Sequence, residues 1–144
     1  MAVLSKTATG SDAGSVVTAT VATSGTISAQ LADYTAGPAP FVTAGGSDSN
    51  RTSHVTPKVP VNVDGSWVVS FWSDKSSSTT GWALPATVTG RDQVIGIGGG
   101  HISAALADSG APVATGTYPA QSAISATVAS GKGAMISLVL VSGS

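Results

Sequence analysis

The amino-acid sequence predicts an all-β protein, an antiparallel β-sandwich of about eight or nine short strands with no significant helix. Three observations carry that expectation. Apolar and polar side chains alternate at period two along much of the chain, the spacing that sends successive residues to opposite faces of a strand. Turn residues interrupt the alternation at intervals of about 8–12 positions, as between the short strands of a sandwich. Material for the solvated face of a helix is scarce: there is no Glu, and there are only four Lys and two Arg. Surface helices and coiled coils take their solvated faces from Glu, Lys and Arg, so neither can be built here.

The elements follow in order. Residues 16–21 are β-branched and end at the turn Thr23-Ser24-Gly25. Residues 27–34 alternate, with Ile27, Ala29 and Leu31 on one face, until Gly37-Pro38-Ala39-Pro40 stops the pattern, because proline cannot donate to a ladder. Residues 43–54 read as a polar loop around Gly45-Gly46-Ser47-Asp48-Ser49-Asn50. Residues 58–63 form a short strand, and Asp64-Gly65 predicts a hairpin into the strand 66–72. That strand sets Trp67, Val69 and Phe71 against Val68, Ser70 and Trp72. After the polar run 73–81, strands are expected around Val88 and over 94–97, 102–107, 122–128 and 134–141, with Gly131-Lys132-Gly133 as the last turn. The final strand is apolar on both faces, which places it centrally in a sheet. Predicted core residues are Trp67, Val69, Phe71, Leu106, Leu138 and Leu140. The chain, residues 1–144, is long enough for one domain.

Composition excludes several functions. A net charge of −1 with six cations offers no basic footprint for nucleic acid. The absence of cysteine removes disulfides, thiolate metal sites and thiol nucleophiles. The most apolar run, 134–141, is far shorter than the roughly 20 residues of a membrane-spanning helix. Met1-Ala2-Val3-Leu4-Ser5-Lys6 lacks the basic and apolar regions of a signal peptide.

Four motifs invite a chemical reading. Ala107-Asp108-Ser109-Gly110-Ala111-Pro112 resembles the nucleophile segment of chymotrypsin-like proteases, but Ala replaces both flanking glycines and only His54 and His101 could serve as base. A polar turn after the strand 102–107 is the expectation. Gly96-Ile97-Gly98-Gly99-Gly100-His101 has the glycines of a phosphate cradle without the helix or lysine that completes one. Asp48-Ser49-Asn50 has the oxygen spacing of a calcium loop, and Asp74, Asp92 and Asp108 would have to converge to hold a structural calcium; no cofactor is expected. Trp67, Trp72 and Trp82 belong to the core of a domain otherwise short of bulk, unless Trp72, opposite Trp67 and Phe71, joins Trp82 and Tyr118 as a sugar-stacking platform.

The stretch from Trp67 through Ser70-Phe71-Trp72-Ser73-Asp74 to Trp82-Ala83-Leu84-Pro85 resembles a known family. So do Lys6-Thr7-Ala8-Thr9-Gly10-Ser11-Asp12-Ala13-Gly14, Gly98-Gly99-Gly100 leading into Ala104-Ala105-Leu106-Ala107-Asp108-Ser109, and Ala134-Met135-Ile136-Ser137-Leu138-Val139-Leu140. The family is the jelly-roll-like β-sandwich module of actinobacteriophage virion proteins and of secreted, often PKD-containing, actinobacterial proteins. The resemblance implies a non-enzymatic scaffold or adhesion role with no catalytic motif to transfer. Modules of this family usually carry further strands before the Lys6 segment, so either this sequence has lost those strands by truncation or another chain supplies them, and a sandwich short of strands exposes an edge that invites pairing.

The expected function is therefore a structural phage protein, a capsid-surface decoration or minor tail protein, assembled in the host cytoplasm. It would work as a homo-oligomer such as a trimer alongside other virion proteins, because a low-charge surface suits repeated symmetric burial. The alternative is a carbohydrate-binding or adhesion module, secreted or on the cell surface, that recognises a host glycan. No nucleic acid or membrane is expected among its partners.

Overall fold

The computed structural model describes residues 1–22, 25–34, 42–125 and 128–142. The protein is all-β: β1 (Val42–Asp48), β2 (Ser53–Val55), β3 (Val59–Val61), β4 (Trp67–Lys75), β5 (Thr89–Val94), β6 (Ile102–Asp108), β7 (Gly116–Tyr118), β8 (Ser122–Ile124) and β9 (Lys132–Leu140). A single 3₁₀ turn, Gly10–Asp12, is the only helical element among the described residues. All strand pairs are antiparallel, in a five-stranded sheet of order β1-β9-β4-β6-β5 and two ribbons, β2-β8 and β3-β7.

Both ribbons pack on one face of the large sheet, the inner face, giving a sandwich-like arrangement. Each ribbon covers its own core cluster. Trp72, Ala105, Ala107 and Met135 of the sheet close on Ala123 of β8 and on Trp82. Val68 and Val139 close on Val59 and Val61 of β3. Small residues under the ribbons let the layers approach, and Ser137 donates to the Pro57 carbonyl at 2.6 Å across the gap. Trp72 is completely buried and its indole N–H donates to the Gln121 carbonyl at 3.4 Å.

The expected strands 58–63, 66–72, 102–107 and 134–141 form as β3, β4, β6 and β9, with β9 inside the sheet between β1 and β4. Other elements differ. The Asp64-Gly65 turn exists, with Gly65 at φ +80°, but it joins no hairpin. β3 pairs with β7, while β4 pairs with β6 and β9, so the turn carries the chain from the upper layer to the lower one. The polar loop expected over 43–54 contains edge strand β1, which β9 recruits through seven register pairs despite its two glycines. β5 covers the polar residues Thr89–Val94 rather than 94–97, and Ile97 stays 94% exposed. β8 spans Ser122–Ile124 only, and residues 126–127 of the strand expected there lie outside the described residues, as do Thr23, Ser24 and the proline break 37–40.

Residues 16–21 and 27–34, expected as strands, form none among the described residues. Their β-propensity has no ladder to join, and an unpaired strand is not stable in water. The core assignment is corrected on one face. Val69 and Leu106 are buried, but Trp67, Phe71, Leu138 and Leu140 are half-buried on the outer face, while Trp72 is the one turned inward. Side-chain volume pointed the wrong way because the ribbons cover the face with the smaller residues.

Candidate functional site

Two constellations stand out, one on each face of the large sheet. On the outer face the register aligns Trp67 with Leu140, Val69 with Leu138, and Phe71 with Ile136. Leu106 sits beside Phe71, and Asp108 beside Val69. Burial across this face is graded. Ala104, Leu106 and Asp108 on β6 are buried, Ile136, Leu138 and Leu140 on β9 are half-buried, and Thr43, Gly45 and Ser47 on β1 are exposed. The covering comes from the N-terminal arm. Tyr34 lies 6.4 Å from Trp67 between ring centres and donates from its hydroxyl to Asp108 at 3.0 Å. Gln30 donates to Asp92 at 2.9 Å.

Between arm and sheet lies a cleft of about 420 Å³, bordered by Leu31, Asp33, Tyr34, Trp67, Arg91 and Asp92. Its floor is fixed by an ion pair in which Arg91 donates to both oxygens of buried Asp108, at 2.5 and 3.0 Å. Burial pushes the Asp108 carboxyl up, but the hydrogen bonds from Arg91, the Gly110 amide and Tyr34 outweigh it, and the net displacement is downward. The Tyr34 phenol moves above the ordinary tyrosine range, through burial first and then through its bond to that carboxylate.

The second constellation is buried between the layers. Register places Asp48, Gly133 and Asp74 side by side on β1, β9 and β4. Gly133 leaves an opening in this row, and a side chain there would run into the Asp48 carboxylate and the His54 ring. His54, fully buried on β2, fills it. Its Nδ1 meets Asp48 at 2.8 Å, and its Nε2 faces Ser125 and Ser130 hydroxyls, each at 3.2 Å, with Asp74 at 4.0 Å. Thr79 donates to Asp74 at 2.6 Å, and Trp82 lies over the imidazole at 5.6 Å between ring centres. The order carboxylate, imidazole, hydroxyl is that of a nucleophilic triad. Ser130 is 0% and Ser125 3% exposed, however, so neither hydroxyl can meet a substrate carbonyl. The cluster works as a polar clamp that fastens β2 and the segments after β8 to the sheet.

Of the expected ligand platform, Trp72 is fully buried, Trp82 is buried against His54, and half-buried Tyr118 belongs to the other core cluster. These three therefore do not form a common exposed surface. Trp67 takes the place expected for Trp72, since it borders the cleft. Ser109, the nucleophile candidate, donates to the Ala111 carbonyl at 2.7 Å and so closes a turn, with Gly110 at φ +70°. The glycine loop bends back on itself: Gly98 and Gly100 have positive φ, and the Gly98 carbonyl meets His101 Nδ1 at 2.7 Å. Asp74 faces the inner side while Asp108 faces the outer, so the three aspartates do not converge. Among the described residues no three His, Asp, Glu or Cys side chains are grouped to hold a metal. No protein-family model, curated protein or solved structure matches this chain.

Sequence reasoning missed the clamp because its members come from separate segments, 48, 54, 74, 125 and 130. One signal was available: His54 is one of only two histidines in a chain with few charges.

Proposed function

We propose that this protein is a non-catalytic structural building block that self-associates through the outer face of its five-stranded sheet. The observation that carries the reading is the apolar ladder of Trp67, Phe71, Ile136, Leu138 and Leu140, left half-covered on an otherwise low-charge domain. Contiguous apolar surface of this kind marks an association site in soluble proteins. The resemblance to actinobacteriophage virion modules supports a finer assignment. The protein decorates a phage capsid or belongs to its tail, as a jelly-roll-like subunit of a closed homo-oligomer such as a trimer, assembled in the host cytoplasm with other virion proteins.

The test is native mass by light scattering over a concentration series, for the natural sequence and for the double variant F71S/L138S. A discrete oligomer that the variant reduces to a folded monomer supports the reading. A natural chain that stays monomeric at every concentration overturns it.

A glycan-binding module remains as a second reading because of one feature, the cleft. Half-buried Trp67 beside Tyr34, with Asp33, Asp92 and Arg91 at the border, has the aromatic face and hydrogen-bonding groups that a pyranose ring requires. Titration with cell-wall sugars would then quench or shift tryptophan fluorescence in the natural chain but not in W67A.

A further inference from the structure

The arm that partly covers the outer face is turned the wrong way to finish the task. Its inward side carries Ser28, Gln30 and Tyr34, the last two hydrogen-bonded to Asp92 and Asp108. Ile27 and Leu31 alternate with these residues and are 59% and 76% exposed, Leu31 at the border of the cleft. Upstream, Val16, Val17 and Val21 are exposed as well. With Gln30 and Tyr34 bonded to the sheet, Ile27 and Leu31 keep most of their apolar surface in water.

From these facts we infer that the arm of one copy docks on the bare β9-β1 half of the outer face of a second copy. Ile27, Leu31 and the valines at 16, 17 and 21 then cover the partner copy's counterparts of the half-buried β9 ladder. The inference rests on the self-association reading and names the segment that performs it.

Charge and length both fit. Residues 13–31 contain no charged side chain. The part of the bare half formed by Thr43, Gly45, Ser47, Ile136, Leu138 and Leu140 contains none either, and the one cation on this face of β9, Lys132, stands at its exposed end. Docking would therefore strip water from no unpaired ion, the cost that most often defeats an apolar contact. An extended segment advances about 3.3 Å per residue, so residues 13–31 can reach about 60 Å, roughly twice the length of β9. The arm is long enough to leave its own hydrogen-bonded anchor and cross a neighbouring sheet. Period-two alternation in a segment that forms no strand has the same explanation: the pattern suits a surface supplied by another molecule.

The experiment uses the full chain. In V16S/V17S/I27S/L31S the sandwich itself is untouched, so its circular dichroism, and its melting at dilutions where both chains are monomeric, are expected to match the natural chain. The concentration at which the oligomer half-dissociates should rise by about a hundredfold or more. If the variant keeps the natural oligomer at unchanged concentration, the arm inference falls while the self-association reading stands. If the natural chain is itself monomeric throughout, both fall.

A second measurement separates exchange between copies from folding back. The chain has no cysteine, so any disulfide formed by engineered variants is unambiguous. Mixing an I27C or L31C chain with an L138C or L140C chain should give cross-linked pairs joining the two kinds of chain. If every arm-to-face combination yields a disulfide only within a doubly substituted single chain, the arm covers its own sheet and the inference is overturned.

Discussion

The two faces of the five-stranded sheet are built from the same strands and serve opposite purposes. The inner face presents Val68, Ser70, Trp72 and Asp74 from β4, and Gly133, Met135, Ser137 and Val139 from β9, all buried. Facing outward are Trp67, Phe71, Ile136, Leu138 and Leu140, a bulkier and more apolar set that is only half-buried. Burial here follows the cover and not the side-chain volume. The segments that carry the ribbons β2-β8 and β3-β7 need acceptors and donors to fasten to, and the inner face supplies them through Ser137, Asp48 and the Trp72 indole. The outer face offers no such anchors on β9 and is left for apolar contact.

Truncating one tryptophan on each face should give the two most unequal losses of stability. W72A removes a fully buried ring from beneath β8 and should destabilise the fold by about 3–5 kcal/mol through lost transfer energy plus a cavity. W67A removes a half-buried ring from the cleft and should cost about 1–2 kcal/mol. Urea unfolding followed by circular dichroism measures both. Equal losses would mean that the outer face is as tightly covered as the inner one.

Next in size is the opening that receives His54. G133A places a methyl where the Asp48 carboxylate and the imidazole now meet, and should cost about 2–3 kcal/mol by overpacking. Two residues away, a Cβ at Gly131 would lie 3.8 Å from the Lys75 carbonyl, so G131A should leave the urea midpoint nearly unchanged. Similar midpoints for the two variants would remove the clamp from the account of what holds the layers together.

How much of this was legible beforehand divides along physical lines. β4, β6 and β9 could be read from the sequence because each is a run of apolar and small residues bounded by turn residues. β1 could not: its inward positions are Val42, Ala44, Gly46 and Asp48, which show no apolar stripe, and only the register with β9 makes them a strand. The inward face of β4 and β9 was equally hidden, since both faces are apolar and the deciding factor is a ribbon formed by distant segments. The clamp needed Asp48, His54, Asp74, Ser125 and Ser130 to meet in space, information that no local spacing contains. The alternation of 27–34 was visible and its outcome was not, because a strand pattern says which residues share a face without saying which molecule supplies the other side.

The smallest effect concerns the charged floor of the outer cleft, where acid should separate the two faces. The Asp108 carboxyl lies below its ordinary value in the folded protein, held there by Arg91, Gly110 and Tyr34 against the opposing effect of burial. A group depressed on folding contributes stability above its unfolded value, near 3.8, and that contribution disappears as the pH falls through the folded value. R91M removes the guanidinium and leaves burial less opposed, so the Asp108 carboxyl should take up its proton at higher pH. The urea midpoint of R91M should accordingly begin to fall at higher pH than that of the natural chain when titrated from neutral towards pH 3. If R91M instead gives a curve parallel to the natural one, the ion pair does not set the acid response, and the arm's anchorage through Tyr34 must be sought elsewhere on the face.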